Sequence, residues 1–284
     1  MPVDSLPRAA MSPPGRPQAL IPEPHGGEGT PVSPPGSPKG SYRSAQHEGT
    51  QLSAPGRSQA LIPEPLGGEG ARVSAVHARA RARWAECRQL PAAPLQYLQV
   101  QEHVLRHAAL PLAGSRRSVL DIGCGDGRFT FVLAEGADDV VALDIAPQLV
   151  ACAQGEADAR GLSHVRFAVH DAEQAFPAVP VELVSCMGVL STMIDDRRFT
   201  DLATQLAAHT LPGGHLITKD TVSLDRAQVH LDGEVPLHWR HIDSYLRSFM
   251  LLDFELVGEF HLARWSPRHL DGLWVWRARE GSRH

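Results

Sequence analysis

Three glycines alternate with other residues in the segment Asp121–Gly127, which has the sequence D-I-G-C-G-D-G. Glycine at this density lets the backbone turn with positive φ and lets a ligand lie against bare main chain. Val119 to Ile122 come before the turn as the short apolar run of a buried parallel strand, and Thr130 to Ala134 follow it as the start of a helix. The bare turn and the unpaired N–H groups of the helix N-terminus predict a nucleotide-sized site at the C-terminal end of a first strand.

An acidic residue ends the next apolar run. Val140 to Leu143 are followed by Asp144, 17 residues after Gly127. A carboxylate at this position can accept hydrogen bonds from both hydroxyls of a ribose. The pattern is not the dinucleotide fingerprint, because Arg128 stands where that pattern needs a small residue, and the phosphate-loop pattern is absent. The alternative is an ordinary doubly wound domain whose glycines only form a tight turn.

The motif D-I-G-C-G-D-G followed by Asp144 resembles the cofactor motifs of class I S-adenosylmethionine-dependent methyltransferases. The resemblance covers about residues 113–280. It implies a Rossmann-like α/β fold, with a doubly wound, seven-stranded, mostly parallel sheet and helices on both faces. Later strands are expected at Val165–Val169, Val181–Cys186, His215–Lys219, Phe254–Phe260 and Leu273–Ala278, the last one antiparallel.

The same resemblance implies S-adenosyl-L-methionine as the cofactor. In that family the acidic residue after the third strand accepts a hydrogen bond from the adenine amino group, a role that falls on Asp171. The end of the fourth strand, in the stretch E-L-V-S-C-M-G-V-L-S, touches the sulfonium and the adenine. The implied cofactor-binding residues are Asp121, Gly123, Cys124, Gly125, Gly127, Asp144, Ile145, Asp171, Ala172 and Met187.

A dense polar segment follows the fifth expected strand. Methyl transfer from a sulfonium needs positioning and, for some acceptors, removal of a proton. We expect His238 or His241 to be the general base for an O–H acceptor, with Asp220 as a further catalytic residue. Two surface histidines in a chain with 15 histidines are the alternative, and a metal site matches no known ligand spacing. The polar residues are Lys219, Asp220, Asp232, Glu234, His238, Arg240, His241, Asp243 and Tyr245.

The class of acceptor stays open. The stretches L-I-T-K-D-T, L-D-G-E-V and W-R-H-I-D-S-Y resemble protein α-N-terminal methyltransferases, with Asp232 at an acidic position of that family. Thr221 replaces the Asn of that family, and Val235 falls where a second acid is expected. The signature of nucleic-acid amino-methyltransferases is absent after the fourth strand. We expect methyl transfer to an O or N atom of a small-molecule acceptor, with specialised metabolism as one setting. The alternatives are a peptide or protein N-terminal amine, or a non-catalytic adenosylmethionine-binding protein.

Residues 1–72 differ in composition from the rest of the chain. They hold 14 of the 23 prolines and 11 of the 25 glycines, and the sequence A-L-I-P-E-P occurs twice, 41 residues apart. Such a segment cannot bury enough apolar surface to offset chain entropy, so we expect a disordered tail. The duplicated stretch is either a linear motif for a partner or a low-complexity duplication.

Residues 73–112 are expected to form N-terminal helices that cap the pocket. Val76, Ala80, Trp84 and Cys87 fall on one face of a first helix. The arginines on its other faces indicate a solvated surface, with nucleic-acid binding as the alternative. A second helix over residues 95–108 would bury Leu95, Leu98, Leu105 and Ala108, and Tyr97 and His103 are pocket candidates on it.

Composition narrows the class of protein. The 284 residues are 43% hydrophobic and 21% charged with a net charge of −5, which argues against a nucleic-acid partner. No apolar run reaches the roughly 18 residues that span a bilayer, and the N-terminus lacks the apolar core of a signal peptide. The four cysteines show no metal-type spacing. We expect reduced thiols, a cytoplasmic location, no membrane partner and an undetermined oligomeric state.

Overall fold

The computed structural model describes residues 69–90, 93–114, 116–230 and 236–281. Its strands are β1 (Ser118–Ile122), β2 (Asp139–Asp144), β3 (Val165–Val169), β4 (Val181–Met187), β5 (Thr210–Ser223), β6 (Gln228–His230), β7 (Leu237–Trp239), β8 (Phe254–Ser266) and β9 (His269–Ala278). Its helices are α1 (Glu69–Ala85), α2 (Leu95–Val104), α3 (Leu110–Leu112), α4 (Arg128–Leu133), α5 (Pro147–Ala159), α6 (Asp196–Ala208) and α7 (Ile242–Met250). A π-helical turn (Leu105–Ala109) joins α2 to α3, and a 3₁₀ turn (Leu190–Thr192) follows β4.

A seven-stranded sheet organises the chain, in the order β3-β2-β1-β4-β5-β9-β8. Neighbours from β3 to β5 are parallel, whereas β9 runs antiparallel to both β5 and β8. This arrangement confirms the mostly parallel, doubly wound sheet with an antiparallel last strand. The late strands are longer than expected and form one hairpin.

Two hydrophobic cores cover the two faces of the sheet. One contains Trp274, Trp276 and Phe249, packed with residues of α6 and α7. The other contains Leu273 and Val275, packed with the π-helical turn, α3 and α4. The division follows from the strand period of two, because the run L-W-V-W in β9 sends alternate side chains to opposite faces. Burial on both faces explains why these strands are continuous apolar runs.

The N-terminal helices differ from the expected ones at their ends. Helix α1 begins at Glu69, so four residues of the segment expected to be a disordered tail are helical. The second helix continues through the π-helical turn to Leu112, and Leu95 is 61% exposed rather than buried. The rest of the tail, with its duplicated stretch, lies outside the described residues.

The segment after β5 is more ordered than a polar loop. Strand β5 runs on to Ser223, β6 and β7 form an antiparallel hairpin, and α7 begins at Ile242. Asp232 and Glu234 lie outside the described residues. Within the described ranges, no helix has both the length and the apolar character needed to cross a bilayer.

Candidate functional site

A cavity of about 430 Å³ lies at the carboxyl edge of the sheet. Its walls are the glycine turn after β1, the end of β2, the segments after β3 and β4, and the inner face of α1 with the residues that follow it. The volume is within the range of small-molecule sites, roughly 300–1,000 Å³. The ends of the first two strands are where a doubly wound sheet usually binds its ligand.

The glycine turn after β1 has a left-handed backbone at Gly123, Gly125 and Gly127, with φ of 77°, 55° and 83°. A Cβ at Gly123 would lie 2.1 Å from Cγ2 of Val189 in the segment after β4. Glycine is therefore required at this position both by its φ and by the close approach of the two segments. The turn exposes main chain to the cavity, as the sequence predicts.

Asp144 holds the glycine turn in place. Its Oδ2 accepts a hydrogen bond from the N–H of Gly125 at 2.8 Å, and its Oδ1 accepts one from the N–H of Ala146 at 2.9 Å. Burial raises the pKa of Asp144, and hydrogen bonds from the main chain oppose that rise. The carboxylate still borders the cavity, so it both orders the turn and faces a ligand.

Two residues expected to bind the cofactor support the turn instead. Asp121 is 3% exposed, and its Oδ2 accepts a hydrogen bond from Oγ1 of Thr130 in α4 at 2.7 Å. Burial raises the pKa of Asp121 to about 6. Gly127 is the left-handed N-cap residue of α4. Neither residue borders the cavity. The other expected residues do border it: Gly123, Cys124, Gly125, Asp144, Ile145, Asp171, Ala172 and Met187.

The segment after β3 is tied to α1 by ion pairs. Arg81 pairs with Asp171, and His77 pairs with Glu173. Arg198 of α6 also contacts Glu173. Burial alone would raise the pKa of Glu173, but the hydrogen bond from His77 and the charges of His77, Arg198 and Arg81 outweigh burial and lower it. These contacts hold α1 across the cavity.

The two histidines expected to act as a base do not border this cavity. His238 is buried, with its Nδ1 3.1 Å from the carbonyl oxygen of Ile194. Burial and the charge of Arg240 lower the pKa of His238. His241 is the N-cap of α7, where its Nδ1 accepts a hydrogen bond from the N–H of Asp243 at 3.2 Å. His238 bonds to a carbonyl of the segment after β4, and His241 bonds to the backbone of its own helix. These positions correct the expectation that one of the two imidazoles faces the acceptor.

Asp220 is likewise away from the cavity. Its Oδ1 accepts from the N–H of Ser191 at 3.0 Å, and its Oδ2 accepts from the hydroxyl of Tyr245 at 3.1 Å. Burial raises the pKa of Asp220 to about 6. Alternation along β5 places Lys219 and Asp220 on opposite faces of the sheet.

Arg240 links the segment around β7 to the cavity wall through hydrogen bonds. Its guanidinium is buried and donates to the carbonyl oxygen of Met193 at 2.8 Å and, through Nε, to Oδ1 of Asp196 at 3.0 Å. The same group lies 4.0 Å from the ring centroid of Phe199. Because Met193 borders the cavity, Arg240 fixes that wall from behind.

Sequence reasoning missed the cavity-facing side of α1. His77, Arg81 and Trp84 all border the cavity, at positions i, i+4 and i+7 of one helical face. This spacing is a usable signal, although the arginines of α1 by themselves indicate a solvated surface. Other cavity residues not expected from the sequence include Leu90, Glu173, Thr192 and Met193.

Residues 119–214 match the family described as "Methyltransferase domain". The match begins in β1, continues through β2 to β4, which carry the walls of the cavity, and ends early in β5. This part of the chain therefore has the sequence of a methyltransferase domain.

Two curated relatives are similar to the methyltransferase domain over part of their length. The ubiquinone biosynthesis O-methyltransferase of Xylella fastidiosa is 33% identical over 109 residues, which are 38% of this chain and 42% of that protein. The aklanonic acid methyltransferase DauC of Streptomyces sp. is 45% identical over 78 residues, 26% of this chain and 34% of that protein. The chain thus spans less than half the length of either relative.

A solved structure shares the fold of the methyltransferase domain. The N-methyltransferase NodS from Bradyrhizobium japonicum, in complex with S-adenosyl-L-homocysteine, aligns with a TM-score of 0.53 and 18% identity. The alignment covers 72% of this chain and 99% of NodS. At this identity the likeness establishes the common architecture.

Proposed function

We propose that the chain binds S-adenosyl-L-methionine in the 430 Å³ cavity and transfers its methyl group to an oxygen or nitrogen atom of a small molecule. One observation carries the proposal. Bare backbone at Gly123 and Gly125, ordered by Asp144, opens onto a cavity that has Asp171 in one wall and Met187 in another.

The lining residues fit a nucleoside ligand. The oxygens of Asp144 accept backbone N–H groups and keep further acceptor capacity, which suits a ribose hydroxyl. Asp171 can accept from an adenine amino group beside its pair with Arg81. Leu143 and Leu149 supply apolar surface for the base. When bound, the cofactor supplies an electrophilic methyl group. The chain itself must then position the cofactor and the acceptor, exclude water and, where needed, remove a proton from the acceptor.

The relatives support a small-molecule acceptor. The Xylella relative is named as an O-methyltransferase of ubiquinone biosynthesis, and the Streptomyces relative is named for aklanonic acid. NodS is named as an N-methyltransferase, so the fold is compatible with both kinds of acceptor atom. We extend the small-molecule class, and specialised metabolism as its setting, to this chain.

Calorimetry tests the cofactor half of the proposal. S-Adenosylmethionine should bind the wild-type chain, and Asp144→Ala should weaken binding, because a charge-assisted hydrogen bond contributes roughly 1.5–3 kcal/mol. Asp139→Ala is the matched control, since Asp139 is an exposed carboxylate at the other end of β2. Unchanged affinity in Asp144→Ala would exclude the assignment of the site.

Labelled cofactor tests the transfer half. Incubation of the full chain with methyl-labelled S-adenosylmethionine and host extract should place label in the small-molecule fraction. Label in the peptide fraction would favour the N-terminal amine alternative, and cofactor binding with no label in either fraction would favour a non-catalytic binding protein.

A further inference from the structure

Lys219 is an unusual residue for this chain. The sequence has 25 arginines and two lysines, Lys39 and Lys219, and among the described residues Lys219 is the sole lysine. It lies in β5 directly beside Met187 of β4, so the two side chains project from the same face of the sheet. Met187 borders the cavity, and the N–H of Gly188 donates to the carbonyl oxygen of Lys219 at 2.7 Å. Lys219 does not itself line the cavity, but it lies directly beside a residue that does.

A buried carboxylate holds the ammonium group. Nζ of Lys219 lies 3.1 Å from Oδ1 of Asp271 in β9, and Oγ1 of Thr221 donates to the same oxygen at 3.2 Å. Asp271 is fully buried, and its Oδ2 has no hydrogen-bond partner among the described residues. Lys219 keeps 15% of its side chain exposed, so it is the member of the pair that a ligand can reach.

One aromatic ring lies over the lysine, and a second aromatic side chain packs against that ring. Nζ of Lys219 lies 5.5 Å from the ring centroid of Tyr97 in α2, and that ring meets Trp265 of β8 edge-on at 5.0 Å. Leu98, the next residue of α2, borders the cavity. A flat ring entering beside Leu98 and Met187 would meet Tyr97 on its way to the ammonium group. Such walls suit a planar aromatic ligand.

We propose that the acceptor is a hydroxyaromatic compound and that Lys219 is the catalytic base that removes its ring-hydroxyl proton, with Asp271 as the positioning residue. This inference rests on the proposed function and narrows it to O-methylation. The O–H bond of the acceptor breaks as the proton passes to the neutral amine of Lys219. The oxygen lone pair forms the O–CH₃ bond, and the electron pair of the breaking S–CH₃ bond stays on sulfur, which becomes a neutral thioether. The ammonium then loses the proton to solvent.

The surroundings of Lys219 favour its neutral form. Burial lowers the pKa of Lys219 to about 8, although the charge of Asp220 on the opposite face opposes this. Burial also raises the pKa of Asp271 well above its ordinary value. Among the described residues, the titratable groups that meet Lys219 from other elements are Asp271 of β9 and Tyr97 of α2. Arginine cannot lose its proton in a protein, so an arginine-rich chain needs lysine at a position that serves as a base.

Selective carbon-13 labelling of lysine tests the base on the wild-type full chain. Two lysine signals are expected, with Lys39 as the internal reference and Lys219 assigned by its loss in Lys219→Met. We expect Lys219 to titrate near pH 8, below the ordinary value of a lysine, about 10.4. Asp271→Asn should lower the midpoint of Lys219 further, because a nearby carboxylate favours the charged amine. Titration of Lys219 at the ordinary lysine value of about 10.4 would overturn the proposal.

para-Nitrophenol, whose phenolate absorbs visible light, tests the acceptor class. With S-adenosylhomocysteine present, the wild-type chain should increase the phenolate band below the pKa of the free phenol, and Lys219→Met should not. With S-adenosylmethionine, Lys219→Met and Lys219→Arg should lower methyl transfer to this probe by roughly 10²–10⁴-fold, and Arg226→Met, an exposed cation, should leave it unchanged.

Equal phenolate bands in the wild type and Lys219→Met would remove Lys219 from the site. Cofactor calorimetry separates this failure from that of the proposed function. If cofactor binds and depends on Asp144 while Lys219 titrates normally, the base assignment alone fails. If the wild-type chain binds no cofactor, the proposed function fails, whatever the titration of Lys219.

Discussion

The guanidinium of Arg81 in α1 pairs with the carboxylate of Asp171, which follows β3 and borders the cavity. A residue of the N-terminal helix thus contacts the acid that we assign to the adenine amino group. His77, one helical turn earlier, pairs with Glu173. The cofactor site and α1 therefore share their charged contacts, and the stability of one affects the other.

Arg81→Met should loosen α1 over the cavity. Arg81 is partly exposed, so the loss is limited to about 1 kcal/mol. We expect faster hydrogen exchange in α1 and a roughly three- to tenfold faster dissociation of S-adenosylmethionine, measured by exchange mass spectrometry and stopped-flow fluorescence. Arg79→Met, which removes an exposed cation of the same helix, is the control. Unchanged exchange and dissociation would mean that the ion pair does not hold α1.

Asp220→Asn should change the pH dependence of stability rather than catalysis. The pKa of Asp220 is about 6 in the folded chain and about 3.9 when unfolded, so the folded state binds the proton more tightly. Below pH 3.9 Asp220 is protonated in both states and makes its full contribution to the free energy of unfolding. As the pH rises through 6 that contribution is lost, which lowers the free energy of unfolding by about 3 kcal/mol.

Asn stays neutral, so Asp220→Asn should be more stable than the wild type at pH 7.5, by about 1–3 kcal/mol, and should approach it below pH 5. Urea unfolding at the two pH values measures this, with the exposed Asp201→Asn as control. A parallel pH profile in the mutant and the wild type would contradict the raised pKa.

His238→Gln and His241→Ala should affect folding more than methyl transfer. His241 is the N-cap of α7, so its loss should cost about 1 kcal/mol, and His241→Asn should restore that loss. We expect single-turnover rates within about threefold of the wild type for all three variants, measured where each is folded. A rate lower by roughly 10²-fold in a folded variant would return that histidine to the role of base.

Gly123→Ala should destabilise the chain and weaken cofactor binding together. The added Cβ combines a positive φ with a 2.1 Å approach to Val189. We expect a loss of roughly 1–3 kcal/mol in urea unfolding. Gly155→Ala in α5 is the matched control, because nothing lies within 4 Å of its added Cβ and alanine favours a helix interior by about 1 kcal/mol. Adding Val189→Ala to Gly123→Ala should recover only the part of the lost stability that comes from the clash with Val189, because the strain of the positive φ remains. Equal free energies of unfolding for Gly123→Ala and Gly155→Ala would contradict this prediction and show that the glycine turn can adjust to the added Cβ.

The first four strands of the sheet could be read from sequence to within about two residues. Their apolar runs are continuous because both faces are covered, and Asp144 and Gly123 mark their carboxyl ends. The cofactor motif did not separate residues that face the ligand from those beneath them. Asp121 supports the turn through Thr130, a contact that only the packed helix reveals.

The acceptor side was harder to predict. The polar character of His238 and Arg240 predicts an exposed loop, yet both side chains are buried and form hydrogen bonds with backbone carbonyl oxygens of the segment after β4. The backbone oxygen that accepts a hydrogen bond from such a side chain is set by tertiary contacts, and the spacing of residues in the sequence does not reveal it. Conversely, Asp271 lies 52 residues after Lys219, and only the antiparallel pairing of β9 with β5 brings the two together.

Arg240 has a consequence for engineering the acceptor range. The segment 219–245 would be the obvious piece to exchange between related proteins when a new substrate is wanted. Arg240 donates hydrogen bonds to Met193 and Asp196, which lie outside that segment. A transplanted segment without an equivalent arginine would therefore leave these acceptors without a partner and destabilise the cavity wall. A chimera should therefore take residues 189–196 and 219–245 from the same parent.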